Sequence, residues 1–130
     1  MADYNTLGTS PHSLKATATV NANRFCKLDT AAVNSTLQCA AGTDLALGVS
    51  LKSAAVGESV ELQHIGKAKV TAGAAIAAGA QVASDASGRA VTVATGNVSN
   101  GIAAYAAGAA GDIIEVFLTP LPNLNGPVNP

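Results

Sequence analysis

The side chains best suited to chemistry are two histidines (His12, His64), two cysteines (Cys26, Cys39) and eight carboxylates, spread over 130 residues. Thiol or hydroxyl catalysis needs a base beside the nucleophile and a third group to orient that base. No Gly-x-Ser-x-Gly, His-Glu-x-x-His or phosphate-cradling glycine loop surrounds any of these residues. Zinc would call for finger-type spacing, which neither Cys26/Cys39 nor His12/His64 has. Asp85-Ala-Ser-Gly88 has the look of a calcium loop but lacks the alternating oxygen ligands and the closing Glu. Asp29 sits in a similar context, and for both aspartates the simpler role is capping a turn through nearby backbone N–H groups. Lys67 and Lys69 follow Gly66 without the Met-Lys-Met or Asp-Lys context of a lipoyl or biotinyl carrier. The residues therefore predict no enzyme, no cofactor and no bound metal.

Charge narrows the partners. Seven basic residues face eight acidic ones, and Lys15, Arg24, Lys27, Lys52, Lys67, Lys69 and Arg89 are scattered rather than striped. A nucleic-acid surface would cluster them and interleave aromatics; the four aromatics are Tyr4, Phe25, Tyr105 and Phe117. Carbohydrate platforms would need those same rings. The polar stretch from Met1 to Lys15 lacks a signal-peptide core, and glycines interrupt every alanine-rich run well short of a membrane span. The expectation is a soluble protein made in the cytoplasm, without nucleic acid or membrane as partner. In such a compartment Cys26 and Cys39 read as small buried apolar groups; a disulfide would require adjacent strands and suitable geometry.

The elements that hold these residues read as β. No proline falls between His12 and Thr119, whereas Pro120, Pro122, Pro127 and Pro130 crowd the end. Proline interrupts sheet ladders, so the chain divides into an N-terminal arm (1–13), a β domain (14–119) and a proline-rich tail (120–130). Glycines recur through the domain at short intervals, leaving room for short strands. Leu14, Ala16, Ala18 and Val20 alternate with polar neighbours, as do Val60, Leu62 and His64. Ile113 to Leu118 is apolar on both faces except at Glu115, as a strand that is central or lies under a partner would be. Ala-rich 71–80 predicts a turn, or at most one helical turn, before a strand at Gln81 to Ser84. The expected fold is all-β, a compact barrel or sandwich whose core is Val, Ile, Leu and Ala.

The domain also carries an internal duplication, with pseudo-repeats about 20–66 and 76–118. Asp29 aligns with Asp85, Gly42 with Gly96 and Gly48-Val49 with Gly101-Ile102. Ala55-Val-Gly57-Glu58 likewise matches Ala109-Ala-Gly111-Asp112. Small deletions between these anchors fall in turns, which tolerate them.

The ordered series Leu47-Gly-Val-Ser, Ala54-Ala-Val-Gly-Glu-Ser-Val-Glu-Leu, Gly66-Lys-Ala-Lys-Val, Ala77 to Ala90, and Gly101-Ile-Ala followed by Ala109 to Leu118 resembles bacteriophage capsid cement (decoration) proteins. The likeness covers about Asn21 to Thr119. It implies a β protein on the outer surface of a phage head that bridges major capsid protein subunits as a homo-oligomer, dimeric or trimeric. It supplies no catalytic residues. Terminal arms in that setting would reach the shell or a neighbouring subunit, with Tyr4, Leu7 and Pro11, or Phe117, Leu121 and Leu124, as apolar anchors. The competing expectation is a head-fibre or receptor-binding β module that recognises a glycan.

Overall fold

In the computed structural model the described residues are 13–118. They form ten short strands: β1 (Ser13–Ala16), β2 (Phe25–Leu28), β3 (Ser35–Gln38), β4 (Gly48–Ser50), β5 (Ser59–Gln63), β6 (Lys67–Thr71), β7 (Gln81–Ser84), β8 (Ala90–Thr92), β9 (Gly101–Ala103) and β10 (Ile113–Leu118). No helix occurs among the described residues, and the alanine-rich 72–80 segment runs as turns into β7. The fold is all-β, as the glycine spacing predicts.

β1 is shorter than the alternation from Leu14 to Val20 suggests. Its antiparallel partner, β5, pairs as far as Lys15 with Ser59; Ala16 still bonds the Glu58 carbonyl and the Gly57 N–H, and the turn at Val56–Gly57 ends the pairing there. With no ladder left to follow, the chain bends at Thr17 and Ala18, and Ala18 is exposed. Val20 returns inward as an isolated bridge to Ala54.

The N-terminal half (13–63) closes into a barrel in the order β1-β3-β2-β4-β5, with β5 pairing back to β1 and β1 lying parallel to β3. The C-terminal half (67–118) forms a sheet in the order β6-β10-β9-β7-β8. Written from β6 in the other direction, that is the same circuit, strand for strand. Here the return from β8 to β6 is one parallel bridge, Ala72 to Ala90, which corresponds to the Ala16–Thr36 pair of the first half. The bridge Val20–Ala54 is matched by Ile76–Ala107. The equivalence thus starts at β1 and β6, upstream of Val20 and Ile76.

The close approach of strands explains one aligned glycine pair. A Cβ on Gly48 would sit 2.6 Å from the Gln63 carbonyl oxygen, and one on Gly101 would sit 2.5 Å from that of Phe117. Only glycine lets β4 and β9 pass so near their neighbours.

Two cores follow from this architecture. Ala16, Val20, Cys26, Ala54, Val60 and Leu62 fill the first barrel. The second core combines residues of its own strands (Val70, Ile76, Val82, Ile114 and Val116 among them) with Phe25, Cys39 and Val49 from the N-terminal half. Phe25 is fully buried there. Its backbone N–H donates to the Gly88 carbonyl (2.8 Å), while Thr71 N–H donates to the Asn23 carbonyl (2.9 Å). The segment from Asn23 to Phe25 therefore stands between β6 and the β7–β8 turn, where the second circuit is held by its single bridge.

Candidate interaction surface

Residues paired across strands share a face, so the register places side chains directly. On the outer face of the C-terminal half, Ile113 lies opposite Thr71, Glu115 opposite Lys69 and Phe117 opposite both Lys67 and Ile102. Ile114 and Val116 point inward and are buried. β10 is paired on both edges within its sheet, yet Ile113 and Phe117 are about half exposed (51% and 52%) and Ile102 is 43% exposed. Lys67 Nζ bridges to Glu115 Oε1 at 3.2 Å and lies 5.8 Å from the centre of the Phe117 ring. The surface is thus a strip with Ile113 at one end, Phe117 and Ile102 at the other, and Glu115 with its lysine neighbours between them. It supports contact with another macromolecule, where aromatic and aliphatic anchors ringed by charge carry binding.

Of the sequence-derived contact residues, Phe117 lies on this strip. Tyr4, Leu7, Pro11, Leu121 and Leu124 fall outside the described residues. Ile113 and Ile102 complete this face and are not among those residues. The two-sided apolar pattern of β10 already pointed to Ile113; Ile102 sits in a three-residue strand, too short for alternation to report a face.

The chemistry-bearing residues are dispersed. Cys26 and Cys39 are both buried and free, one in each core. Burial pushes the Cys26 thiol up to about 11. Burial, with the Asp44 and Cys26 charges adding to it, pushes Cys39 up to about 12. Both are therefore protonated near neutrality, and a protonated thiol is a poor nucleophile. His64 Nδ1 lies 3.0 Å from the Leu47 carbonyl oxygen.

The aspartates act on turns. Asp29 Oδ1 accepts the Ala31 N–H (2.9 Å) and its Oδ2 accepts the Thr17 hydroxyl (2.8 Å); these bonds, with Lys27 nearby, hold its carboxyl below the ordinary range. Asp85 Oδ1 accepts the N–H groups of Ser87 (2.8 Å) and Arg89 (2.9 Å), and its Oδ2 takes the Arg89 guanidinium at 2.9 Å. A third turn is capped by Asp44, whose Oδ2 accepts the Ala40 and Ala41 N–H groups and pairs with Lys27 at 3.1 Å. In the other half Asn97 Oδ1 caps Ala94 N–H in the corresponding way (2.9 Å).

Fold and surface together define a duplicated all-β protein whose distinguishing feature is an outward strip carrying Ile102, Ile113 and Phe117. The chain belongs to the phage cement protein family, whose match spans residues 7–118. Among solved structures it is similar to the crystal structure of the head fiber gp8.5 N base of bacteriophage phi29, with a TM-score of 0.71 at 19% identity, covering 87% of this chain and 96% of that one. At that identity the likeness is one of fold. No curated protein sequence matches the chain.

Proposed function

We propose that the protein is a capsid decoration protein: it binds the outer surface of a phage head and holds neighbouring major capsid protein subunits together. Membership of the cement family over residues 7–118 carries this reading. The doubled β body supports it, because two linked halves can offer several modest contacts at once, and linked contacts gain by avidity. The strip at Ile102, Ile113 and Phe117 supplies a surface for the shell or a neighbouring subunit. In this reading the protein works as a dimer or trimer on the virion after synthesis in the host cytoplasm. It takes no cofactor, nucleic acid or membrane as partner and catalyses no reaction.

Purified protein mixed with expanded capsids lacking it should co-sediment at a saturable, symmetry-defined copy number and raise the capsid Tm. Absence of binding to the cognate capsid would overturn the proposal. Binding without a change in capsid Tm would mark an anchor, such as a fibre base, in place of a cement. Ile113→Asp should weaken co-sedimentation with little effect on the protein's own melting, since exposed positions generally tolerate substitution within about 0.5 kcal/mol.

A further inference from the structure

The strands that join the two halves use different surfaces on each side, while the equivalent β3–β4 and β8–β9 loops meet beside them, Val98 N–H donating to the Gly42 carbonyl (2.8 Å) and Ala46 N–H to Asn100 Oδ1 (3.0 Å). The N-terminal half contributes Phe25 and Val49, neighbours across β2 and β4, together with Arg24, whose Nη1 donates to the Ser87 carbonyl (3.0 Å). The C-terminal half contributes Thr71 and the β7–β8 turn at Ser87 and Gly88. A contact of this heterologous kind leaves the complementary surface open at each end of the pair. Both open surfaces can be located through the duplication.

At one end, the positions of Phe25 and Val49 are taken by Gln81 and Ile102, which pair across β7 and β9 in the same way. Ile102 is 43% exposed, with Phe117 beside it. At the other end, the equivalent of the β7–β8 turn is the β2–β3 turn. It is uncovered: Leu28 is 50% and Val33 87% exposed, and residues 28–34 line an open hollow of about 500 Å³. The differences between the copies complement each other. The donor face has Gln81 where its counterpart has Phe25, and the acceptor turn is longer. Asp29 N–H bonds to the Ser35 carbonyl, six residues on, where Asp85 N–H bonds to the Arg89 carbonyl, four residues on. Those two extra residues present Val33, an apolar side chain that no described residue covers.

We infer that copies of this chain associate head to tail, the β7–β9 face around Ile102 of one copy seating on the β2–β3 turn around Val33 of the next. The contact repeats, between chains, the one that joins the halves within a chain. The inference rests on the homo-oligomer of the proposed function and not on capsid binding, so it is tested without capsid.

Ile102→Asp disables the first surface and Val33→Asp the second. Both side chains are exposed, so each variant should fold and keep the wild-type far-ultraviolet circular dichroism spectrum, melting lower only by the stability that association adds. Sedimentation velocity should show a multi-copy wild type and two monomeric variants. An equimolar mixture of the variants should form a two-copy species, because one intact contact remains between an Ile102→Asp chain and a Val33→Asp chain. A monomeric wild type, a variant that still dimerises alone, or a mixture that stays monomeric would overturn the inference. A capsid that fails to bind a head-to-tail oligomer would instead count against the cement reading alone.

Discussion

The two halves follow one strand circuit but close it differently. Antiparallel ladders join β5 to β1 and β10 to β6, through three and five register pairs, but the parallel contact that closes the N-terminal circuit, β1 with β3, has two pairs. In the C-terminal half, β8 and β6 meet at the single Ala72–Ala90 bridge, and Phe25 of the other half enters the core beside it. One barrel is closed by its own ladders; the other is completed by a borrowed side chain. Their outer faces differ as well. Ser59, Glu61 and Gln63 on β5 correspond to Ile113, Glu115 and Phe117 on β10. The two copies share the path of the chain but differ in surface: one face is polar throughout, and the other carries Ile113 and Phe117 on either side of Glu115.

Dependence of the second half on the first should be visible in stability. Phe25→Ala is expected to cost about 3–5 kcal/mol, the usual range for emptying a buried aromatic site; urea unfolding would measure it. The equivalent Gln81→Ala should cost almost nothing, as Gln81 is exposed. Equal costs would mean that the second core does not depend on Phe25.

A smaller effect should be shared by both halves. Gly48→Ala and Gly101→Ala each force a Cβ against a neighbouring backbone carbonyl, and the resulting overpacking is expected to cost about 1–3 kcal/mol in either place. Thermal unfolding of the two variants should show comparable losses of Tm.

Acid should separate the halves more gently. Partial burial works to raise the Asp44 pKa, but the Ala40 and Ala41 N–H groups and the Lys27 ammonium outweigh it and lower the value overall. A carboxyl whose folded-state pKa lies below its unfolded one stabilises the fold above the unfolded value, near pH 4. That stability is lost as pH falls through the folded pKa. Asn97, which caps the corresponding turn, does not titrate. Asp44→Asn should therefore reduce the slope of stability against pH below about pH 4, while Asn97→Asp should introduce a new dependence in the same window. Urea midpoints between pH 2.5 and 6 would check both.

The least disturbance is expected at the thiols. Cys26 and Cys39 should be inert to a thiol reagent in the native state, since burial raises both, and both should react once the chain unfolds. Reaction at a common rate would show the two cores opening together; faster labelling of Cys39 would show the second core opening first.

Much of this could be read from residue order. Glycine spacing and proline exclusion defined short strands, because a ladder excludes proline from its interior and closely spaced turns leave only short runs between them. Asp29 and Asp85 were legible as turn caps because the backbone bonds their carboxylates accept are local, two to four residues away; the Thr17–Asp29 bond, twelve residues apart, was not. That β10 carries apolar side chains on its outer face, Phe117 among them, was legible in its two-sided apolar pattern. Ile102 was not, and neither was the true length of β1, which ends where β5 leaves it.

What the amino-acid order determined by itself was the strand-and-turn alternation, the repeated pattern and the dispersal of reactive groups, all governed by local geometry. Tertiary structure decided that Phe25 and Val49 belong to the second core while Cys26, next in sequence to Phe25, belongs to the first. Adjacent residues on a strand point to opposite faces, and only the docking of one half on the other determines which of those faces is buried and against what.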